Sequence, residues 1–303
     1  MTTQDELPLA GPGLAFGTTF RATFATVFGR FGSFLKAALL PVALSVLLAL
    51  AGIVLLAVGP SGPSRTVLDL LLQLLGLVPL VILGIACHRL VLLGRRAGAI
   101  PRPLLGRRTL VYLGYTVLFG IIIALPLMAF GTMMLGDRIV VLGSDPDDAA
   151  LATPALMHNA VLLLFVFYLV YLYFMTRLSL VFPAVAIDQK LGPRGSWRLT
   201  RGASGFKLYA LLIVITLLCL AGTLIGMFVL NTLVALLWFP TFPPVQAGDV
   251  DWVMLLVSQA PTLLLGLLLQ FLSFVLLLAA VTAAYASLSG WGGPRAEVLE
   301  RFE

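Results

Sequence analysis

Uninterrupted apolar runs of twenty or more residues recur along this chain of 303 residues. About 20 apolar residues is the length that a helix needs to cross the hydrocarbon core of a bilayer. Only 11% of the residues are charged, whereas soluble domains carry about 25% charged residues. The chain is therefore predicted to be an all-α, polytopic membrane protein, and a soluble globular fold is excluded.

Six transmembrane helices are predicted from these runs. They lie near 36–58, 67–94, 109–135, 157–187, 207–238 and 256–289. Together they form a transmembrane domain over residues 36–290, which follows a polar stretch at 1–13 that is predicted to be disordered and precedes a short tail at 291–303. The first residues are acidic and polar, which is not typical of a cleaved signal peptide.

Basic residues are concentrated in two of the predicted loops. Segment 95–108 holds five arginines, and segment 188–207 holds three arginines and two lysines. Because Lys and Arg are retained in cytoplasmic loops, these two loops are predicted to face the cytoplasm, and with six spans so are both termini. The net charge of +6 has the same explanation and does not indicate a nucleic-acid partner.

Residues 14–35 have the pattern of an amphipathic helix. Its phenylalanines recur every three or four positions, at Phe16, Phe20, Phe24, Phe28 and Phe31. Arg21, Arg30 and Lys36 give the segment a positive character. Either the helix lies in the membrane interface with its rings immersed, or the phenylalanines pack under the helix bundle.

Arg177 is the most informative ionisable residue within a predicted span. Tyr173 lies one turn earlier on the same helical face, and its ring or hydroxyl can solvate the guanidinium. Ser179 is close by, and Asp188, eleven residues after Arg177, returns nearly to that face, although Pro183 is predicted to bend the helix between them.

Two interpretations of Arg177 remain open. In the first, Arg177 forms an anion or lipid-phosphate site with Arg198 or Arg201. In the second, Arg177 braces helix ends through backbone carbonyls and tyrosine side chains.

The stretch 189–206 is short, basic and flanked by glycines. Trp197 is placed to insert at the level of the lipid head groups beside Arg198 and Arg201, which predicts an interfacial helix on the cytoplasmic leaflet. With residues 14–35 it forms a basic, aromatic collar around the inner face of the bundle.

Little in the sequence indicates catalysis. It contains no Walker A, HExxH or GxSxG motif and no cluster of Cys or His at metal spacing. Cys87 and Cys219 both lie in apolar runs. No catalytic residue, metal or cofactor is therefore predicted, and within the spans only Asp69, His88 and His158 remain as groups that could couple transport to an ion gradient.

The string YLYFMTRLSLVFPAVAIDQKLGPRGSWRLTRG at 171–202 resembles a pattern of known bacterial membrane proteins. These are six-helix proteins grouped with the glycerophosphoryl diester phosphodiesterase membrane domain. The matching positions are Tyr173, Arg177, Ser179, Leu180, Pro183, Asp188, Ser196, Trp197, Leu199, Thr200 and Gly202. Asp188 stands where many members carry Glu. The resemblance implies a membrane module of the bacterial cytoplasmic membrane and no reaction, because the phosphodiesterase is a separate soluble barrel.

Two functions are predicted from these features. The first is a non-catalytic scaffold or assembly protein whose cytoplasmic collar binds anionic lipid or a partner membrane protein, through Tyr173, Arg177, Ser179, Asp188, Trp197, Arg198 and Arg201. The alternative is an ion-gradient-coupled carrier or flippase for a lipid or amphiphile. A homo-oligomer is a further possible partner arrangement.

Overall fold

The computed structural model describes residues 13–58, 63–94, 106–122, 124, 162, 166–238 and 252–291. Within these ranges the chain forms helices joined by turns and contains no strand. The prediction of an all-α fold is therefore confirmed for the described residues.

The described part of the chain contains nine helices. In order they are α1 (Phe16–Gly29), α2 (Phe31–Val58), α3 (Pro63–Leu92), α4 (107–122), α5 (166–178), α6 (Val181–Ala186), α7 (Pro193–Leu199), α8 (Ala203–Trp238) and α9 (Trp252–Ser289).

Five stretches of the described helices are long and apolar enough to cross a membrane. They are Phe31–Leu55, Leu70–Leu92, Val166–Ala186, Ala203–Leu233 and Ala260–Ser289. Each overlaps one of the predicted spans, which confirms the prediction of a membrane protein with transmembrane helices. Of the remaining predicted span, 109–135, the structure describes 109–122 and residue 124, so a sixth span stays a prediction.

The packed core lies at one end of the bundle. Buried side chains of α9 begin at Val275, those of α3 at Pro79, and those of α8 end at Ile215. The opposite half of α8 exposes large apolar side chains, with Leu224 62% and Phe228 72% exposed. The core therefore gathers at the ends of α3, α8 and α9 that adjoin the basic loops.

Small residues allow the helices to approach closely in this core. Ala279, Ala280 and Ala284 of α9 are almost fully buried. In a membrane the hydrophobic effect does not drive helices together, and small side chains let their backbones approach closely enough for van der Waals packing. Tyr285, completely buried, bonds through its hydroxyl to the side chain of Gln189. This bond joins α9 to the segment between α6 and α7.

Helix α1 packs along α9. Ser287 donates to the Gly13 carbonyl over 3.4 Å, while the ring of Phe31 contacts Phe271 edge-on at 6.5 Å. The two contacts are sixteen residues apart in α9, about 24 Å along a helix, so α1 runs antiparallel to it. The interfacial position predicted for this segment stays a prediction.

The inward face of α1 carries threonines, with phenylalanines beside them. Thr19, Thr23 and Val27 are its buried residues. Phe16, Phe20 and Phe24 are half-buried and pack against the core, whereas Phe28 is exposed. Each threonine hydroxyl donates to the carbonyl one turn earlier over 2.8 Å, which removes the cost of burying it.

The helix predicted over 14–35 ends earlier, at Gly29. Arg30 leaves the helical conformation and donates from Nη1 to the Leu90 carbonyl over 3.1 Å. That carbonyl is one of the last four of α3, which lack partners within their own helix. Residues 31–35 therefore begin the spanning helix α2.

A buried polar network joins α3, α4 and α9. His88 is inaccessible, with Nδ1 2.6 Å from the Thr282 hydroxyl and Nε2 3.2 Å from the Tyr112 hydroxyl. Thr282 donates to the Leu278 carbonyl, so it accepts from His88, whose proton is assigned to Nδ1 on that ground. Tyr112 then donates to Nε2. A neutral histidine satisfies every group in this chain of bonds.

Gly84 is required next to this network. A Cβ at Gly84 would lie 2.5 Å from the Tyr112 hydroxyl oxygen, whereas a Cβ at Gly76 of the same helix would meet nothing within 4 Å. We expect Gly84→Ala to destabilise the fold by about 1–3 kcal/mol through overpacking. Gly76→Ala is expected to stabilise it by about 0.5–1 kcal/mol, the ordinary gain in a helix. Unfolding of both variants in the same detergent measures the difference, and equal stabilisation by the two would contradict the packing described.

Candidate functional site

The break between α5 and α6 creates the site. Pro183 has no N–H and its ring would collide with the carbonyl four residues earlier, at Ser179. The helix is interrupted at that residue, and the Ser179 carbonyl accepts from the Phe182 N–H over 3.1 Å. The bend predicted at Pro183 is therefore present, and it places Arg177, in the last turn of α5, beside α7.

The guanidinium of Arg177 is held by the end of α7. Nη2 donates to the carbonyl oxygens of Thr200 over 2.9 Å and Trp197 over 3.3 Å. Nε donates to the Thr200 hydroxyl over 3.3 Å, and Nη1 to the Tyr173 hydroxyl over 3.4 Å. Arg177 is 8% exposed. Four of its five N–H groups thus bond to uncharged acceptors, including carbonyls that have no partner within α7.

Side chains of α7 also contact α5, which completes the attachment of α7. Ser196 donates through its hydroxyl to the Arg177 carbonyl over 2.5 Å. The ring of Trp197 lies 3.8 Å from the guanidinium carbon of Arg177 and stacks on Phe174 at 5.8 Å. The half-buried Trp197 ring therefore contacts two residues of α5, and its insertion among lipid head groups stays a prediction.

Gly205 lets α8 begin close to this attachment. A Cβ there would collide with the Thr200 carbonyl and lie 3.2 Å from Nε of Arg177. Tyr209, one turn later in α8, packs edge-on against Tyr173 at 5.7 Å. Arg177, Tyr173 and Trp197 are thus brought together, and the geometry favours the bracing interpretation of Arg177.

Ser179 and Asp188 lie apart from this group. Ser179 donates to the Thr176 carbonyl over 2.7 Å, closing the turn after α5. Asp188 forms a two-pronged ion pair with Arg108 of α4, with 2.8 Å between Nε and Oδ1. The predicted return of Asp188 to the face of Arg177 does not bring the two side chains into a hydrogen bond in the described structure.

The backbone explains why a short acidic residue fits at position 188. Asp188 has φ 59°, a left-handed conformation that Asp adopts more readily than most residues. Its N–H donates to the Val185 carbonyl over 3.2 Å, and the Gln189 N–H donates to the Ala184 carbonyl over 2.9 Å. This pair of bonds is the Schellman motif that ends many helices. Asp188 therefore ends α6 and pairs with α4 at once.

Three arginines lie on α7 and in the turn that follows it. Arg194 and Arg198 are one helical turn apart on α7, and Arg201 lies two residues after the helix ends at Leu199. All three are exposed, whereas Ser196 and Thr200 on the other side are fully buried. Among the residues that the structure describes, none of the three side chains makes a hydrogen bond or ion pair. We call Arg194, Arg198 and Arg201 the arginine face.

Several groups were missed by the sequence interpretation. Arg194 was counted only as a loop charge, although its spacing from Arg198 is the signal for a shared helical face. Tyr112 and Thr282, the partners of His88, gave no comparable signal because they lie 24 and 194 residues from it.

Other predicted groups fall outside the described structure. The side chain of Asp69 and the whole of His158 are not described. Within the described ranges, no group of three or more His, Cys, Asp or Glu side chains is placed to hold a metal ion.

Comparison of the chain with protein families, curated proteins and solved structures finds no match in any of the three. The resemblance of 171–202 to the six-helix family therefore stays a prediction.

Arg177→Ala is expected to destabilise the protein by about 3 kcal/mol, because it leaves the buried Thr200 carbonyl without its donor and removes the contact with the Trp197 ring. Arg177→Lys is expected to recover part of the loss, since an ammonium group cannot reproduce the planar fork or the stacking on Trp197. Arg198→Ala, on the exposed side of α7, is the matched control and should change stability by less than about 0.5 kcal/mol. Thermal unfolding in detergent compares them. Equal stability of Arg177→Ala and Arg198→Ala would rule out the bracing role.

Substitutions at Asp188 separate its backbone role from its charge. Asp188→Val is expected to cost about 1–2 kcal/mol, because a branched side chain is strained in the left-handed region. Asp188→Asn keeps the conformation and loses an ion pair in which Asp188 is 41% exposed, so its cost should stay below about 1 kcal/mol. The effect of Asp188→Asn should also shrink in 1 M salt, where the screening length is about 3 Å. A salt-independent loss in Asp188→Asn would show that the charge pair is not the cause.

Proposed function

We propose that this protein is a non-catalytic integral membrane protein that binds anionic lipid through the arginine face and serves as a scaffold in the cytoplasmic leaflet. The observation that carries the proposal is the exposure of Arg194, Arg198 and Arg201 without a partner among the described residues. Arginine forms paired hydrogen bonds to phosphate oxygens. A lipid head group with a phosphate can therefore accept hydrogen bonds from the N–H groups of these three arginines.

The attachment of α7 supports this assignment. The buried side of α7 is tied to Arg177 by four hydrogen bonds and a ring contact. A fixed helix loses little conformational entropy when its arginines bind, and preorganisation of this kind increases affinity. Arg177 therefore acts on lipid binding through α7 and does not itself contact the head group.

Neighbouring charges extend the same surface. Lys190, Lys207 and Arg107 are exposed and flank α7 or begin the adjoining helices α8 and α4. Asp188, the acidic residue described in this region, is already paired with Arg108. The local excess of positive charge favours the anionic leaflet, where each basic residue contributes about 1 kcal/mol.

The finer topology belongs to the same proposal. Six spanning helices, both termini in the cytoplasm and α1 at the inner membrane interface would place the arginine face at the head groups of a bacterial cytoplasmic membrane. A partner membrane protein or a second copy of the chain with an acidic surface is the other possible occupant of the face.

A gradient-coupled carrier ranks second. A cavity between α3, α4 and α5 is the observation that favours it, since a carrier needs a path for its substrate. Coupling to an ion gradient normally uses a membrane-embedded titratable group, and both ring nitrogens of His88 are bound by uncharged hydroxyls.

The triple variant Arg194→Gln, Arg198→Gln, Arg201→Gln tests the first proposal. Phosphatidylglycerol and phosphatidylethanolamine are titrated onto the detergent-purified protein, and bound lipid is counted by native mass spectrometry. Loss of three contacts at about 1 kcal/mol each predicts a roughly 100-fold weaker affinity for phosphatidylglycerol. Phosphatidylethanolamine binding should not change.

Two controls sharpen the result. A variant with Lys at positions 194, 198 and 201 keeps the positive charge and loses only the paired hydrogen bonds to phosphate. Its affinity for phosphatidylglycerol should therefore lie between those of the wild type and the triple Gln variant. Arg65→Gln, at the predicted outer end of α3, should have no effect. Unchanged phosphatidylglycerol binding in the triple Gln variant would overturn the lipid assignment. Loss of a stoichiometric protein partner in that variant would instead assign the face to protein assembly.

A further inference from the structure

A cavity of about 690 Å³ lies between α3, α4 and the α5–α6 segment. Each segment contributes residues at helical spacing, within 70–77 of α3, 116–121 of α4 and 171–182 of α5 and α6, and Ala124 adds to the wall after α4. Its volume falls in the range of small-molecule sites. None of the described residues that line the cavity is charged. The lining excludes an ionic group from the interior and favours a hydrocarbon occupant.

One end of the cavity is closed by aromatic rings. Phe119 and Phe182 meet edge-on at 5.3 Å, and Tyr112 packs against Phe182 at 4.8 Å. Along the continuous helix α3 the wall extends from Leu70 to Leu77, seven residues, about 10 Å. This is about a third of the ~30 Å hydrocarbon core of a bilayer, so the cavity is long enough for part of the acyl chain of a lipid in one leaflet.

The polar groups in the wall are distributed unequally. Near the closed end, Thr116 donates to the Tyr112 carbonyl over 3.0 Å and Ser179 donates to the Thr176 carbonyl over 2.7 Å. Toward the other end lie Gln73 and Tyr171, whose side chains make no hydrogen bond within the described part of the chain. Gln73 is exposed and Tyr171 is half-buried, and a polar group that faces hydrocarbon gains from a hydrogen-bond partner. The amide and the phenol are therefore available to donate to an acceptor on a bound molecule.

We infer that this cavity binds one hydrocarbon chain of an amphiphile, with the tail against Phe119 and Phe182 and the polar linkage at Gln73 and Tyr171. An ester or amide carbonyl is the acceptor that suits the Gln73 amide N–H and the Tyr171 hydroxyl. In the predicted orientation, Gln73 and Tyr171 lie toward the outer side, so the amphiphile enters from the outer leaflet. This site is separate from the arginine face and does not depend on it.

Two photoreactive probes test the inference on the full chain in nanodiscs. One is phosphatidylglycerol with a diazirine at the end of one acyl chain, and the other is lysophosphatidylglycerol with the same labelled chain. We expect the tail label on peptides containing Phe119 or Phe182 at least tenfold above the label on the exposed face of α8 around Leu224. The probe that labels these peptides more strongly at equal concentration identifies a diacyl or a single-chain ligand.

A pair of glycine variants in α4 provides the matched control. Gly120 lines the cavity, Gly114 does not, and a Cβ at either position would meet nothing within 4 Å. Gly120→Leu fills the cavity and is expected to lower the labelling of Phe119 and Phe182 peptides about tenfold. Gly114→Leu should leave that labelling within twofold.

Variants at the polar end of the cavity test the inference without filling the cavity, as Gly120→Leu does. Gln73→Leu and Tyr171→Phe remove one donor each and should each lower the labelling severalfold while leaving the thermal unfolding temperature unchanged. The inference is overturned if both probes label the exposed face of α8 as strongly as the cavity. It is also overturned if Gly120→Leu labels like Gly114→Leu. The triple Gln variant of the arginine face should leave cavity labelling intact, so failure of either site is detected separately.

Discussion

The guanidinium of Arg177 donates to the last carbonyls of α7, and the position of the exposed arginines depends on that contact. The final four carbonyls of a helix have no partner within it, and those on the buried side of α7 are shielded from water, which would otherwise supply one. A helix of seven residues is also too short to be stable alone. By supplying donors from α5, Arg177 allows α7 to lie against the bundle with its polar side, Ser196 and Thr200, turned inward. The remaining side of α7 then carries its arginines outward.

Other helix ends in this region satisfy the same requirement in different ways. Arg30, between α1 and α2, donates to the Leu90 carbonyl near the end of α3. Helix α6 ends through backbone bonds alone, in the Schellman turn centred on Asp188. An arginine therefore need not mark an anion site in a membrane protein, because a carbonyl cluster uses the same donors. Arg194, Arg198 and Arg201 remain available for a phosphate, because none of their side chains makes a hydrogen bond within the described structure.

Local features of the fold followed from the sequence because their causes are local. Apolar runs predicted six spans, and the described residues contain five helices long and apolar enough to cross a membrane. Pro183 indicated the break after α5, and the i,i+4 spacing of Tyr173 and Arg177 indicated their contact. Pairs distant in sequence did not follow. His88 and Thr282 are 194 residues apart, and Arg108 and Asp188 are 80 apart, so their contacts depend on how whole helices pack. The Phe pattern of α1 left open whether its rings face lipid or the bundle; Phe16, Phe20 and Phe24 pack against the core. The pattern did not indicate that Thr19 and Thr23 are the most buried positions, because backbone bonds satisfy their hydroxyls.

The polar groups of the bundle are satisfied unequally along its length. Near the basic loops, His88, Arg177 and Tyr285 each bond to residues outside their own helix, and the core is packed around them. Farther along α3 and α5, Gln73 and Tyr171 border a cavity without partners in the described residues. Tyr112 lies between the two regions, since it bonds to His88 and packs on Phe182 at the closed end of the cavity. An acyl chain in the cavity would therefore rest against the best-packed part of the protein. In the proposed site, the packed rings of Phe119 and Phe182 would hold the end of the acyl chain, and Gln73 and Tyr171 would select the polar group next to that chain.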